Sequence, residues 1–196
     1  MTSPLPVPLP QAYKLLNHGP VTLVTTAHGG QSNVMAAAWV MPLDFDPPLV
    51  CLVLDSQTYS RGLLEASGEF ALNLPVRAQA AKVLAAGSCS ARELAGRDKL
   101  ERCGFATFPA LQVQAPLIQG CAAWLECRVQ PQPENERRHD LFIARVEAAW
   151  ADPDIFSDGR WHFPDEARRT LHYVAGGQFF VTGEAFEATP LPPAEP

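Results

Sequence analysis

The chain has 196 residues, 47% of them hydrophobic and 18% charged, with a formal net charge of −6. This is an ordinary globular composition, long enough for one domain with a full core. An acidic balance with no basic stripe excludes non-specific binding to nucleic acid or to an anionic membrane surface, but not a small phosphorylated ligand in one local cradle.

The opening decapeptide MTSPLPVPLP holds four prolines and has neither a basic n-region nor an apolar h-region, so it does not read as a signal peptide. Residues 1–10 are expected to form an extended, Pro-rich arm. Gln11–Asn17 reads as a helix ended by Gly19-Pro20. Val21–Thr26 (VTLVTT) is rich in β-branched residues and reads as a strand, followed by a turn at His28-Gly29-Gly30. In the next strand, Asn33–Val40, one face carries Asn33, Met35, Ala37 and Trp39. Leu49–Leu54 is a nearly continuous apolar strand, Thr58–Ala66 a short helix and Phe70–Leu74 another strand. Residues 76–86 and 91–102 are helical, with Ser90 and Glu93 spaced as a capping box. Gly120–Val129 and Asp140–Trp150 read as long strands joined by the polar loop PQPENERR, and Leu171–Val174 starts a last strand before Gly176-Gly177. Residues 183–196 form a Pro-rich tail, leaving 11–182 as one domain.

Six or more strands with few helices and short connections indicate a mainly β protein, a closed or half-closed barrel with flanking helices. No G-x-G-x-x-G opens a helix, which argues against a Rossmann domain. No run approaches the roughly 18–20 apolar residues of a membrane span. The five cysteines include no C-x-x-C pair, and Cys51, Cys121 and Cys127 lie in apolar runs. They read as buried thiols of a cytoplasmic protein, with no zinc ribbon or other metal site.

Two segments carry candidate chemistry. In Asp55-Ser56-Gln57-Thr58-Tyr59-Ser60-Arg61, Ser56, Thr58 and Ser60 surround the start of a helix. Free backbone N–H groups and the helix dipole favour an anion there, although a hydroxyl that merely caps the helix gives the same pattern. In Asn33–Trp39, Ala36 to Ala38 would let a planar ring approach the backbone, and Asn33 offers a donor and an acceptor to its edge. A core strand with a buried Trp reads the same way. Lys99, taken alone, is a solvated helix lysine, and His139 a surface-loop histidine.

Taken together, the segments resemble a known family. Ser32-Asn33, Met35, Trp39, Pro47-Pro48, Ser56, Tyr59-Ser60, Ser67-Gly68-Glu69-Phe70 and Asn73 follow the order and spacing of flavin reductase-like proteins and flavoredoxins. Cys89-Ser90, Asp98-Lys99-Leu100, Cys103-Gly104-Phe105, Gln119–Cys127, His139–Ile143 and Leu171–Gly177 continue the similarity over about residues 12–182. The resemblance implies a six-stranded Greek-key FMN-binding split barrel that forms a homodimer with FMN near the subunit interface. It implies that Asn33, Met35 and Trp39 contact the flavin and that Ser56, Thr58 and Ser60 hold its phosphate. Lys99, His139 and Tyr173 complete the cofactor-binding set. Lys99 has a rationale, since an ammonium beside the flavin's N1/C2 edge stabilises the anion that reduction creates there. Thr58 departs from the family, which has a basic residue at that position; Arg61 could compensate or point to solvent.

The expected activity is that of an FMN-dependent oxidoreductase taking reducing equivalents from NAD(P)H to free flavin or another acceptor, with no protein residue as acid/base catalyst. A flavoredoxin-like carrier with a redox partner protein shares every motif. A split-barrel binding protein without redox activity is the third reading, supported by Thr58. Apolar runs at Cys121–Leu125 and Leu141–Ile143 are candidates for the dimer contact or for internal core.

Overall fold

The computed structural model describes residues 3–15, 20–94 and 98–189. The elements in chain order begin with β1 (Leu5–Pro6), a 3-10 helix (Leu9–Leu15), β2 (Thr22–His28), β3 (Gln31–Ala37), β4 (Val40–Phe45) and β5 (Pro48–Val53). Then come α1 (Tyr59–Ser67), β6 (Glu69–Leu74), α2 (Ala80–Ser88), α3 (Lys99–Arg102), β7 (Thr107–Phe108), β8 (Leu117–Ile118) and β9 (Ala123–Gln130). The chain continues through α4 (Pro133–His139), β10 (Leu141–Ala151), the short β11 (Phe156–Ser157) and β12 (Arg160–Trp161), and the hairpin of β13 (Leu171–Ala175) and β14 (Gln178–Val181).

The main sheet runs β3-β2-β6-β9-β10-β5-β4, with β1 added along β10. Every pairing in it is antiparallel. Its two faces follow the period of two along each strand. Val24, Leu52, Phe70, Leu72, Leu125 and Phe142, drawn from five strands, meet in one inner core. The intervening residues Leu23, Ala71 and Trp124 face an outer core completed by Val83, Leu100, Leu117 and Ile118. Strands covered on both faces must be apolar throughout, which explains why β6 and most of β2 are buried at every position. The polar exceptions on β6 are Glu69 and Asn73; Asn73, fully buried, donates to Leu23 O (2.9 Å) and accepts from Ile118 N (2.7 Å). It ties β2, β6 and β8 together.

Two buried carboxylates hold the irregular segment 109–116 against the sheet. Glu126 on β9 accepts from the backbone N–H of Leu111 (3.0 Å) and Gln112 (2.5 Å) and from Trp150 Nε1 (2.8 Å). Glu69 on β6 accepts from Gln114 N (2.7 Å) and pairs with Arg128 (3.2 Å).

Several local expectations change. The strand expected over 33–40 stops at Ala37: β3 pairs with β2, whereas the chain beyond Trp39 pairs with β5. The expected polar loop after β9 contains α4. Pro133 occupies its first turn with Glu134 and Glu136, and Arg137, Arg138 and His139 its last, so charges match the helix dipole at both ends. The helix expected over 91–102 is a 3-10 turn at Ala91–Glu93 and the four-residue α3, with 95–97 outside the described residues. Ser90 caps the former by accepting from Arg92 N. The first helix is a 3-10 helix that begins at Leu9, two residues early, while Leu16 to Gly19 lie outside the described residues. The N-terminal arm, extended through β1 and turning into the 3-10 helix at Leu9, is anchored to the sheet: Val7 is buried and donates its N–H to Ala149 O (2.7 Å). The tail carries no regular structure from 182 to 189, and 190–196 are outside the described residues. Cys121–Leu125 is internal core, as is Phe142.

Candidate functional site

A cleft of about 320 Å³ opens between β3, the start of α1, and the end of α2 with the segment after it. That size falls within the roughly 300–1,000 Å³ of small-molecule sites. Asn33, Met35 and Ala36 form its floor; Asp55, Gln57, Thr58, Tyr59 and Ser60 form one side; Ala86, Gly87, Cys89, Ser90, Ala91 and Lys99 form the other. Of the residues expected from sequence, Asn33, Met35, Thr58, Ser60 and Lys99 are therefore brought together.

The α1 side is built by a tight turn. Asp55 accepts from Gln57 N through its carboxylate (2.7 Å) and from Thr58 N and Oγ1 through its carbonyl (3.0 and 2.8 Å). Thr58 is the N-cap, its hydroxyl accepting from Arg61 N (3.3 Å). The capping function is real, and Thr58 lines the cleft as well. The backbone N–H groups of the first turn have no intrahelical acceptor and carry the positive end of the helix dipole. Ser60, in that turn and 1% exposed, accepts from Asn33 Nδ2 (2.8 Å). At the rim, Tyr59 donates its hydroxyl to Gln31 Oε1 (2.7 Å).

Asn33 is 2% exposed, and its other amide atom, Oδ1, has no hydrogen-bond partner among the described residues. An unpaired buried carbonyl costs roughly 1–3 kcal/mol, so a ligand donor fits there. Lys99 is 4% exposed; burial holds its ammonium below the ordinary lysine range, opposed by Cys89, Cys103 and Glu93 nearby. Among the described residues no hydrogen bond or ion pair neutralises it. The cleft thus presents an orphaned acceptor, helix N–H groups, hydroxyls and a buried cation around a floor of small residues. Gly87 contributes to that room, since a Cβ there would lie 3.5 Å from Ala36 Cβ.

Other expected residues lie elsewhere. Ser56 occupies the exposed turn before Thr58, outside the lining. Trp39 falls after the break that ends β3; it is 74% exposed and does not line the cleft. His139 ends α4 on the surface. Tyr173 lines a neighbouring groove of about 160 Å³ with Phe179 and Leu84, separated from the cleft only by the shared Ala36 and Gly87. Arg61 neither reaches the cleft nor points to solvent. Its guanidinium is buried, bonded to Glu65 (2.7 Å), Leu54 O (3.0 Å), Glu136 O (2.8 Å) and Asp140, and lies over the Phe142 ring. Sequence reasoning missed Asp55, Gln57 and the α2 wall; the run of small residues in α2 was the available signal.

A larger concavity, about 650 Å³, lies between Phe108, Trp124 and Ile155. Its Asp154 is paired with Arg168, and no lining side chain among the described residues has an unpartnered buried atom. It lacks the donor set of the smaller cleft. On the far edge of the sheet, Trp39 just before β4 and Met41, Leu43 and Phe45 on it are each between 45% and 74% exposed, and a bulge between Pro42 and Asp44 puts Met41 and Phe45 on opposite faces. Among the described residues, no helix is long and apolar enough to cross a membrane.

Comparison with known proteins agrees with this geometry. The model of the flavin reductase like domain matches residues 16–178. The uncharacterized protein YddH of Escherichia coli is 36% identical over 94% of this chain and 97% of its own. The crystal structure of an FMN-binding domain of a flavin reductases-like enzyme from Shewanella baltica superposes with a TM-score of 0.91 at 44% identity, covering 95% of this chain and 98% of that one. Flavoredoxin of Desulfovibrio vulgaris shares the fold, with a TM-score of 0.74 at 24% identity over 87% and 90% of the two chains. The split-barrel architecture and the matched domain together establish that the chain belongs to the flavin reductase-like family.

Proposed function

We propose that the chain binds FMN in the cleft between β3, α1 and α2 and acts as an NAD(P)H-dependent flavin reductase, delivering electrons to free flavin or another small acceptor. The observation that carries the cofactor is Asn33: its buried, unpartnered Oδ1 suits the N–H of the flavin's pyrimidine edge. Ser60 fixes that amide. The N–H groups of Tyr59 and Ser60, with the Ser60 hydroxyl, suit the phosphate; Thr58, whose hydroxyl proton goes to Asp55 O, positions the turn, and Ser56 and Arg61 are not needed for it. Ala36 and Gly87 leave room for a flat ring, Met35 supplies apolar contact, and Lys99 places a cation beside it. Bound FMN supplies two-electron redox chemistry. The protein residues position it and stabilise charge; none of them is assigned as an acid or base.

A homodimer accompanies this reading. The exposed apolar side chains around β4, not the buried Cys121–Leu125 run, supply the apolar surface for it. Trp39, His139 and Tyr173 are left to that arrangement. A cytoplasmic setting, in keeping with five free cysteines, belongs to the same proposal; the domain itself takes in the N-terminal arm, whose β1 pairs with β10.

The test is the visible spectrum of the purified protein followed by NADH and NADPH oxidation with excess FMN. A yellow protein that turns over with either nucleotide supports the reductase. Bound FMN without turnover supports the flavoredoxin-like carrier, and a colourless protein that takes up no FMN supports a non-redox binding role.

A further inference from the structure

The groove beside the cleft has a chemistry of its own. It holds about 160 Å³, walled by the aliphatic side chains of Val21, Ala38, Val83 and Leu84 and by the rings of Tyr173 and Phe179. The two rings meet edge to face, with centroids 5.4 Å apart and planes at 62°, and make one apolar corner. They belong to β13 and β14, and the hairpin turn between those strands comes close to α2: a Cβ on Gly177 would lie 3.5 Å from Leu84 Cδ2. Among the described residues, no charged side chain lines the groove. Ser88 at its edge donates its hydroxyl to Leu84 O (2.7 Å), which leaves the Tyr173 hydroxyl as the uncommitted side-chain donor of the lining.

These features select an occupant. A charged ligand would lose water here and gain no counter-charge, whereas a flat neutral ring gains carbon contacts on several sides. The volume suits one six-membered ring, since an apolar cavity of about 150 Å³ takes benzene. It is half that of the cleft, which leaves no room for a second flavin. Ala36 and Gly87 line both spaces, so little stands between a ring in the groove and a flat cofactor in the cleft.

We propose that the groove binds the small acceptor, a neutral single-ring compound with a conjugated carbonyl. Its ring lies on the Tyr173–Phe179 corner and its carbonyl oxygen accepts from the Tyr173 hydroxyl. A hydride originating on NAD(P)H and a proton from solvent add across one double bond of the compound, and NAD(P)+ is the other product. The role as acceptor rests on the FMN reading of the cleft; the binding does not.

The test titrates the full chain, first without flavin and then saturated with FMN, with 4-fluoroacetophenone followed by fluorine NMR. Saturable binding is expected in both states. Ala38→Phe and Leu84→Trp, each filling the groove from an exposed position, should weaken it at least tenfold and leave FMN affinity within twofold. Tyr173→Phe should weaken it about two- to tenfold, the equivalent of one net hydrogen bond, while leaving 4-fluorotoluene, which has no carbonyl, unaffected. Circular dichroism selects the filling variants that fold, and either one suffices. No saturable binding to the native chain overturns the proposal. So does displacement of the probe by FMN, which would give the groove to the cofactor, and so does undiminished binding in a folded filling variant, which would put the probe elsewhere. A native chain that binds the probe but takes up no FMN keeps the site and overturns the flavin reading; one that binds FMN but not the probe does the reverse.

Discussion

Asn33 Nδ2 donates to Ser60 Oγ over 2.8 Å, tying the floor of the cleft on β3 to the first turn of α1. The two side chains therefore act as one unit. Asn33→Ala and Ser60→Ala should each weaken FMN binding by ~1–2 kcal/mol, the scale of a lost hydrogen bond to a charged or buried group. In a double-mutant cycle they should couple by about 0.5–3 kcal/mol. Titration of flavin fluorescence measures both; unchanged affinity in the double variant, with native circular dichroism, would leave the contact as a structural tie alone.

Thr58 has two roles that separate experimentally. Its hydroxyl caps α1, so Thr58→Ala should cost about 1 kcal/mol of folding stability in urea. It also lines the cleft and, through Asp55 O, fixes the turn that aims the helix N–H groups, so FMN binding should weaken by ~1–2 kcal/mol. Thr58→Ser retains the hydroxyl and should recover most of both losses. A stability loss with unaltered FMN affinity would restrict Thr58 to capping.

Lys99 opposes folding where it serves the ligand. Burial depresses its pKa, so between the folded value and the unfolded 10.5 the unfolded chain binds more protons. Stability should rise with pH through that window, and the cost of the buried charge is fully present below it. Lys99→Met should therefore stabilise the ligand-free protein by about 0.5–2 kcal/mol at pH 7 and flatten the alkaline rise in stability. The same change should lower the midpoint potential of bound FMN more than it affects oxidised-FMN affinity. Equal potentials would remove Lys99 from the site.

Arg61 is a structural hub. Its buried guanidinium joins α1 to the end of β5, to α4 and to Asp140. Arg61→Ala strands Asp140 and two carbonyls and should cost about 3–5 kcal/mol by urea denaturation. Arg61→Lys, which keeps the charge, should leave FMN affinity within twofold. A large affinity loss in the lysine variant would return Arg61 to the phosphate site.

The exposed apolar side chains around β4 predict the assembly. Charges on an edge strand block association, so Trp39→Lys combined with Phe45→Lys should convert the dimer to a monomer in light scattering. If both chains contact FMN, its binding should fall with the dimer. A native chain that is monomeric yet binds FMN stoichiometrically would remove the arrangement.

Strand composition was legible where β-branched and apolar residues are uninterrupted, as in Val21–Thr26, Leu49–Leu54 and Phe70–Leu74. The α1 turn was legible because hydroxyls cluster where a helix must begin. The break at Trp39 was not: alternation runs unbroken from Asn33 to Val40, and the change of partner from β2 to β5 is a tertiary event with no glycine or proline to mark it. For α4, charges are ordered for a helix, but the segment has no apolar face, so hydrophobic periodicity was silent. Apolar runs such as Cys121–Leu125 look alike whether they face a core or a subunit. Arg61 could be placed only once Asp140, distant in sequence, had been folded beside it.

The carboxylates of Glu126 and Glu69 make the irregular segment 109–116 an annex of the sheet. Side-chain acceptors there substitute for a neighbouring strand. The Leu111 side chain is 72% exposed, yet its N–H is bonded to Glu126, and the amides of Gln112 and Gln114 are held in the same way. Solvent exposure and amide protection should part company in this segment. Those three amides should exchange with deuterium at rates closer to the strands than to a loop, and Glu126→Ala should release Leu111 and Gln112 while leaving Gln114 protected by Glu69.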